Sequence, residues 1–156
     1  MATRSAGVVL HRPGPDGGPD GIEVLLGHMG GPFWARKDDG AWSIPKGEYG
    51  PGEEPLAVAR REFEEELGSP VPVADLVPLG EVRGSGKVLT MWAAEGDLDA
   101  TACRSNTFEL EWPPRSGRVQ EFPEVDRAAW FAVDAARSKL VKGQLPFLDR
   151  LLGSLG

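Results

Sequence analysis

The chain has 156 residues, with 24 acids and 17 bases, a net charge of −7 and a pI near 4.9. That balance, with no basic stripe, argues against nucleic acid as a partner. Its single cysteine, Cys103, excludes an internal disulfide or a cysteine-built zinc site. No apolar run approaches the roughly 18 residues that span a bilayer, and Met1–Leu10 does not read as a signal peptide. The chain therefore reads as one soluble, cytoplasmic domain over residues 1–156. Gly and Pro supply 35 of the 156 residues, close to the share of roughly 25% at which disorder sets in. Five Trp and six Phe argue instead for a packed domain with long loops.

In chain order, Ala6–Leu10 is a short β-branched apolar run and predicts a strand. Residues 13–21 are turn chemistry and predict a loop, and Ile22–Leu26 predicts a second strand pairing with the first across it. Residues 28–40 read as irregular, Trp42–Pro45 as a short extended piece, and Gly47–Pro55 as a loop. A helix is predicted over Pro55–Leu67. Pro55 suits the first helical position, Gly68 suits the position after the last turn, and Leu56, Ala59, Phe63 and Leu67 form its core stripe. Val71–Val82 has strand character broken by Pro72 and Pro78, while Val88–Ala94, Thr107–Trp112 and Ala128–Val133 predict further strands. A second helix is predicted over Asp134–Leu152, with Leu140, Leu145, Leu148 and Leu152 buried and Pro146 a point of kinking. Strands on both sides of a central helix predict a mixed α/β layer domain.

The first helix carries Glu62, Glu64, Glu65 and Glu66. Taking Glu62 as origin, Glu65 falls about 60° to one side and Glu66 about 40° to the other, whereas Glu64 points away. Three carboxylates on one face repel each other, and they sit at the end of the helix that disfavours anions. A Glu-rich helix face is ordinarily a solvated one. When it holds a cation instead, hard oxygen donors select Mg²⁺, Mn²⁺ or Ca²⁺ over zinc.

The spacing around this face is specific. Gly47 is followed by five residues and Glu53, then by seven residues and Arg61-Glu62-Phe63-Glu64-Glu65-Glu66-Leu67-Gly68-Ser69. This resembles the signature of the Nudix hydrolase family, and Gly47, Glu53, Arg61, Glu62, Glu65, Glu66 and Gly68 all stand at its fixed positions. Phe63 replaces the usual aliphatic residue and Ser69 the usual apolar one. The order of elements looks like a whole Nudix domain, an α/β/α sandwich with a mixed sheet.

The resemblance implies roles. Glu65 and Glu66 would bind divalent metal, Mg²⁺ or Mn²⁺. Glu62 would lie near the metals as a ligand through water or as a base, and the Lys46 carbonyl would complete the site. Glu53 and Arg61 would form a structural ion pair. A general base often lies outside the signature; Glu124 is the first candidate and Glu121 the second. The Lys46 side chain is a candidate for substrate phosphate, ahead of Arg36 and Lys37. Trp34, Trp42 and Tyr49 either stack on a base or simply pack, the commoner use of such side chains, while His28, His11 and Cys103 read as structural.

The implied activity is a divalent-metal-dependent pyrophosphohydrolase, acting on a nucleoside diphosphate linked to another moiety. The run Trp42-Ser-Ile-Pro45-Lys46-Gly47 is similar to members acting on nucleoside triphosphates or dinucleoside polyphosphates. The alternatives are a nucleotide sugar, ADP-ribose, a capped RNA end, or a ligand-sensing module without activity. The presence of Glu62, Glu65 and Glu66 favours the enzyme. Residues 47–69 hold seven acids and two bases, so most of the net negative charge is this one segment.

Overall fold

A computed structural model describes residues 2–15 and 21–155. Part of the loop expected before the second strand, residues 16–20, lies outside them. Strand β1 (Thr3–Pro13) is the spine. It pairs antiparallel with β2 (Ile22–Met29), with His11 opposite Val24, and antiparallel with the short β4 (Lys46–Tyr49), with Ser5 opposite Glu48. On its other edge it runs parallel to β6 (Lys87–Glu95), which is followed by the edge strand β5 (Val77–Gly84). Beyond β2 lie β3 (Trp42–Ser43) and β9 (Val125–Ala132). This mixed sheet has seven strands; β7 (Thr107–Glu111) and β8 (Val119–Pro123) make a separate two-stranded ribbon.

Alternation along the strands builds two cores. Ala6, Val8, Leu10 and Leu25 face helix α1 (Pro55–Leu67) and meet Val58, Phe63 and Leu67 there. Val9, Val24 and Leu26 face the other way, onto α2 (Val133–Lys139) and α3 (Leu145–Leu155) through Ala136, Leu148 and Leu151. β1 is buried on both faces, which is why it reads as a continuous apolar run. Helices on both sides of the sheet give the α/β/α sandwich. Phe63 is fully buried, so the departure from an aliphatic residue costs the helix nothing in core filling.

α1 starts at Pro55, where an N–H is dispensable, and ends at Gly68, whose φ of 78° and N–H to the Glu64 carbonyl form a left-handed cap. A β-carbon on Gly68 would overlap the Arg104 carbonyl, so the position is restricted twice over.

Several sequence expectations are corrected. The helix expected over 134–152 is two helices. Leu140 is extended, it bridges to Trp42, and the Val141 N–H donates to the Trp42 carbonyl, which ends α2. A 3-10 turn at Lys142–Gln144 follows before α3. Pro146 is not the breaker; it lies in the first turn of α3, where its missing N–H is harmless. Leu140 and Leu148 are buried as expected, but Phe147 and Leu151 are buried where Leu145 and Leu152 are only half so, because α3 takes its own register. Strand character begins at Val77 rather than Val71, and Pro78 is accommodated by an edge position and a bulge before Gly80. Lys46–Tyr49 is a strand where a loop was expected from Gly47. β8 was not foreseen: its residues are mostly exposed and show no apolar alternation. Val133, placed at the end of the last strand, instead starts α2.

Candidate active site

The C-terminal half of α1 lies against β4. Gly47 makes this approach possible, because a β-carbon there would overlap the Glu62 carboxyl group. In β4, Gly47 and Tyr49 face α1 and Lys46 and Glu48 face the opposite side, as strand alternation requires. Arg61 crosses the acidic face. It lies 3.3 Å from Glu53, 3.7 Å from Glu62 and 3.9 Å from Glu65. Glu53 also accepts the Gly50 N–H at 2.9 Å, so the loop before the helix is tied to Arg61.

Glu124 comes to the same place from the other end of the chain. The Asn106 N–H donates to the Glu65 carbonyl at 2.8 Å, and the Asn106 carbonyl accepts the Glu124 N–H at 2.8 Å. The Glu124 carbonyl accepts from Gly30 at 2.9 Å. Gly30 must be glycine, since a β-carbon would overlap the Pro123 carbonyl. Ser105 adds a hydroxyl that both accepts the Val125 N–H and donates to the Val125 carbonyl, at 3.0 Å each. Residues 105 and 106 therefore staple the Glu124 loop to the end of α1. Nothing in the sequence marks them, because they act through main-chain groups and one short hydroxyl.

The electrostatics follow from this crowding. Burial, and then the charges of Glu65 and Glu124, push the Glu62 carboxyl above its usual range against the pull of Arg61. Burial, and then Glu65, push Glu124 up. Glu66 is moved furthest, to about 8; burial is the main cause, Glu124 and Glu62 add to it, and the Lys46 charge and main chain oppose it. Five carboxylates thus face two cations, Arg61 and Lys46.

That donor set fits a divalent ion. Its oxygens are hard, three of its carboxylates come from one rigid helix, α1, and it carries surplus negative charge that a cation would offset. Among the described residues no three His, Cys, Asp or Glu side chains converge on one point as ligands. Instead Glu62 and Glu65 lean on Arg61, and Glu66 leans on the Lys46 main chain.

The other expected residues are dispersed. Glu121 is exposed on the two-stranded ribbon, opposite Glu109. Trp42, expected as a stacking surface, is 4% exposed: its ring is edge-on to His28 and Phe131, and its indole N–H donates to Asp38. It has no open face for a ligand. Tyr49 packs half-buried against the α1 core. Trp34 and the Lys46 side chain line a cavity of about 560 Å³ on the other side of β4 from the acids. His28 is fully buried between Asp126 at 2.8 Å and the Lys37 carbonyl at 2.6 Å. Cys103 has its thiol pushed up by burial and then by the Asp99 charge, and it donates to the Asp99 carbonyl.

The chain matches the family model of the NUDIX domain over residues 1–151 and belongs to the Nudix family. Its class is that of hydrolases acting on phosphoanhydrides, a family that generally uses divalent metal ions. Among solved structures, an Ap4A hydrolase of C. elegans in a binary complex aligns with a TM-score of 0.62 at 22% identity, covering 98% of this chain and 97% of that one. The NUDIX domain of Shewanella oneidensis NrtR complexed with ADP ribose aligns at 0.64 and 16% identity, covering 100% and 90%. A NUDIX hydrolase from Nitrosomonas europaea aligns at 0.63 and 18%, covering 99% and 90%. At these identities the likeness is one of fold. No curated protein matches the chain by sequence. Among the described residues no helix is long and apolar enough to cross a membrane.

Proposed function

We propose that the protein is a Mg²⁺- or Mn²⁺-dependent pyrophosphohydrolase, cleaving a phosphoanhydride in a nucleoside diphosphate linked to another moiety. The observation that carries this is the crowding of Glu62, Glu65, Glu66 and Glu124 beside β4, near enough to push the Glu62, Glu66 and Glu124 carboxyls up, with Gly47 stripped of a side chain to admit Glu62. Glu62, Glu65, Glu66 and the Lys46 carbonyl would hold the ion. The bound ion would supply Lewis acidity at the phosphate and lower the pKa of water.

The chain's own groups account for the rest. Glu124, with its proton affinity raised, takes the proton of the attacking water better than an ordinary carboxylate near neutral pH. Water adds to phosphorus, the bridging P–O bond breaks, and two phosphate compounds leave. Arg61 keeps Glu62 and Glu65 oriented, and Glu53 keeps Arg61 in place. The Lys46 side chain, on the cavity side, would meet a substrate phosphate. Trp34 is the one expected stacking residue that borders this cavity.

For substrate, nucleoside triphosphates and dinucleoside polyphosphates come first, consistent with the likeness in fold to the Ap4A hydrolase. The second reading, an ADP-ribose-type ligand, draws on the likeness to the NrtR domain. A panel of nucleotide compounds, tested with Mg²⁺ and Mn²⁺ and with products identified, decides. Metal-dependent release of a nucleotide from at least one compound is expected. Micromolar binding without turnover across the panel would make the protein a sensor instead.

A further inference from the structure

The cavity behind β4 has a charge of its own. Lys46 lines it from β4, Arg83 and Lys87 come from the hairpin joining β5 to β6, and Lys142 comes from the turn between α2 and α3. Glu48 is the acid among its lining. Among the described residues Lys87 and Lys142 have no ion-pair partner, and Arg83 has only an exposed contact to Glu81 at 3.4 Å. Such a contact is weak enough for the arginine to turn to another anion. In a chain of net charge −7, three separate segments therefore bring basic side chains to one concave place. An apolar wall of Trp34, Val82 and Leu89 completes it. At about 560 Å³ the volume is that of a small-molecule site.

The cavity and the acidic cluster meet at β4, whose residue Lys46 belongs to both: its main chain and charge bear on Glu66, and its side chain lines the cavity. A linear substrate cut at the acidic face would therefore run past Lys46 into the basic cavity. Phosphate oxygens suit such a lining, since each can accept from lysine or arginine at short range, where screening by salt is least. Resting on the phosphoanhydride reading above, which already puts substrate phosphate at Lys46 on this cavity, we infer that Arg83, Lys87 and Lys142 select compounds with three or more phosphates over those with two.

The test compares the wild-type protein with Arg83→Gln/Lys87→Gln/Lys142→Gln. All three positions are exposed, so an unchanged melting temperature is expected. With Mg²⁺ at fixed ionic strength, kcat/KM is measured for adenosine triphosphate, a dinucleoside tetraphosphate and ADP-ribose. The wild type should favour the two polyphosphates by about tenfold or more, and the variant should lose about that factor on them while ADP-ribose changes by less than about threefold. A wild-type preference for ADP-ribose, or the same change on all three compounds, overturns the inference and leaves the hydrolase reading standing. Calorimetric binding of adenosine triphosphate without metal reads the cavity alone. Weaker binding by the variant supports the inference even if nothing is cleaved, and equal binding overturns it.

Discussion

The Glu62 carboxyl group lies against the main chain of Gly47, in the space a β-carbon would fill. This contact joins the helix that carries the acids to the strand that separates them from the basic cavity. Gly47→Ala should push Glu62 off the cluster while leaving both cores intact. A displacement of this size at a reacting centre is expected to lower kcat/KM by about 100-fold. Mg²⁺ should also raise the melting temperature of the variant less than that of the wild type. Full activity in Gly47→Ala would show that Glu62 has no fixed role.

The raised carboxyls set a pH dependence. Glu66 ordinarily titrates at 4.5 and is pushed to about 8 in the folded chain. Between these values the folded state holds a proton that the unfolded state has lost. The metal-free protein is therefore expected to lose stability as pH rises from 4.5 through 8. Glu62 and Glu124 are shifted the same way and add to the slope. Exposed acids with lowered values, such as Glu53 and Asp97, act below this window and in the opposite sense. A divalent ion competes with the Glu66 proton, so its stabilising effect should grow with pH over the same range. Melting temperatures from pH 5 to 9, with and without Mg²⁺, check both signs. A metal-free stability that rises across the window would contradict the burial of Glu66.

Glu124 and Glu121 separate cleanly. Glu124→Gln should slow turnover by about 10² to 10⁴, the range of a lost general base. Glu121→Gln, on the exposed ribbon, should leave the rate nearly unchanged. Equal rates for both variants and the wild type would assign proton transfer to the helix carboxylates instead.

His28 tests the frame rather than the chemistry. It joins β2 to Asp126 of β9 and to the Lys37 carbonyl in the segment that carries Trp34. His28→Leu would leave that carbonyl and the Asp126 carboxylate without their partner, at a cost of about 2–3 kcal/mol. Denaturant unfolding measures this directly. A loss near zero would mean that water replaces the imidazole.

The acidic helix was legible because it is written locally, and the sandwich was legible only through the family resemblance that this helix carries. The core stripe of α1 is periodic, Pro55 and Gly68 mark its ends, and the spacing from Gly47 to Gly68 places the three glutamates on one face. Ser105, Asn106 and Gly30 were not legible. They act through main-chain hydrogen bonds between segments far apart in sequence, and such bonds leave no pattern in side-chain type. For Trp42 the choice between stacking and ordinary packing stayed open for a related reason. Its neighbours in sequence are loop-like, and only the packing of His28 and Phe131 shows it to be core. The basic cavity was also hidden, since Lys46, Arg83, Lys87 and Lys142 are brought together by the fold alone.

On the proposed function, the acidic face of α1 would hold a divalent ion. Its most direct test is Mn²⁺ binding followed by electron paramagnetic resonance, in the wild type and in Glu65→Gln and Glu66→Gln. Saturable binding by the wild type is expected, weakening by about tenfold or more in each variant, with the fold unchanged by circular dichroism. Equal Mn²⁺ affinity in all three proteins would contradict it.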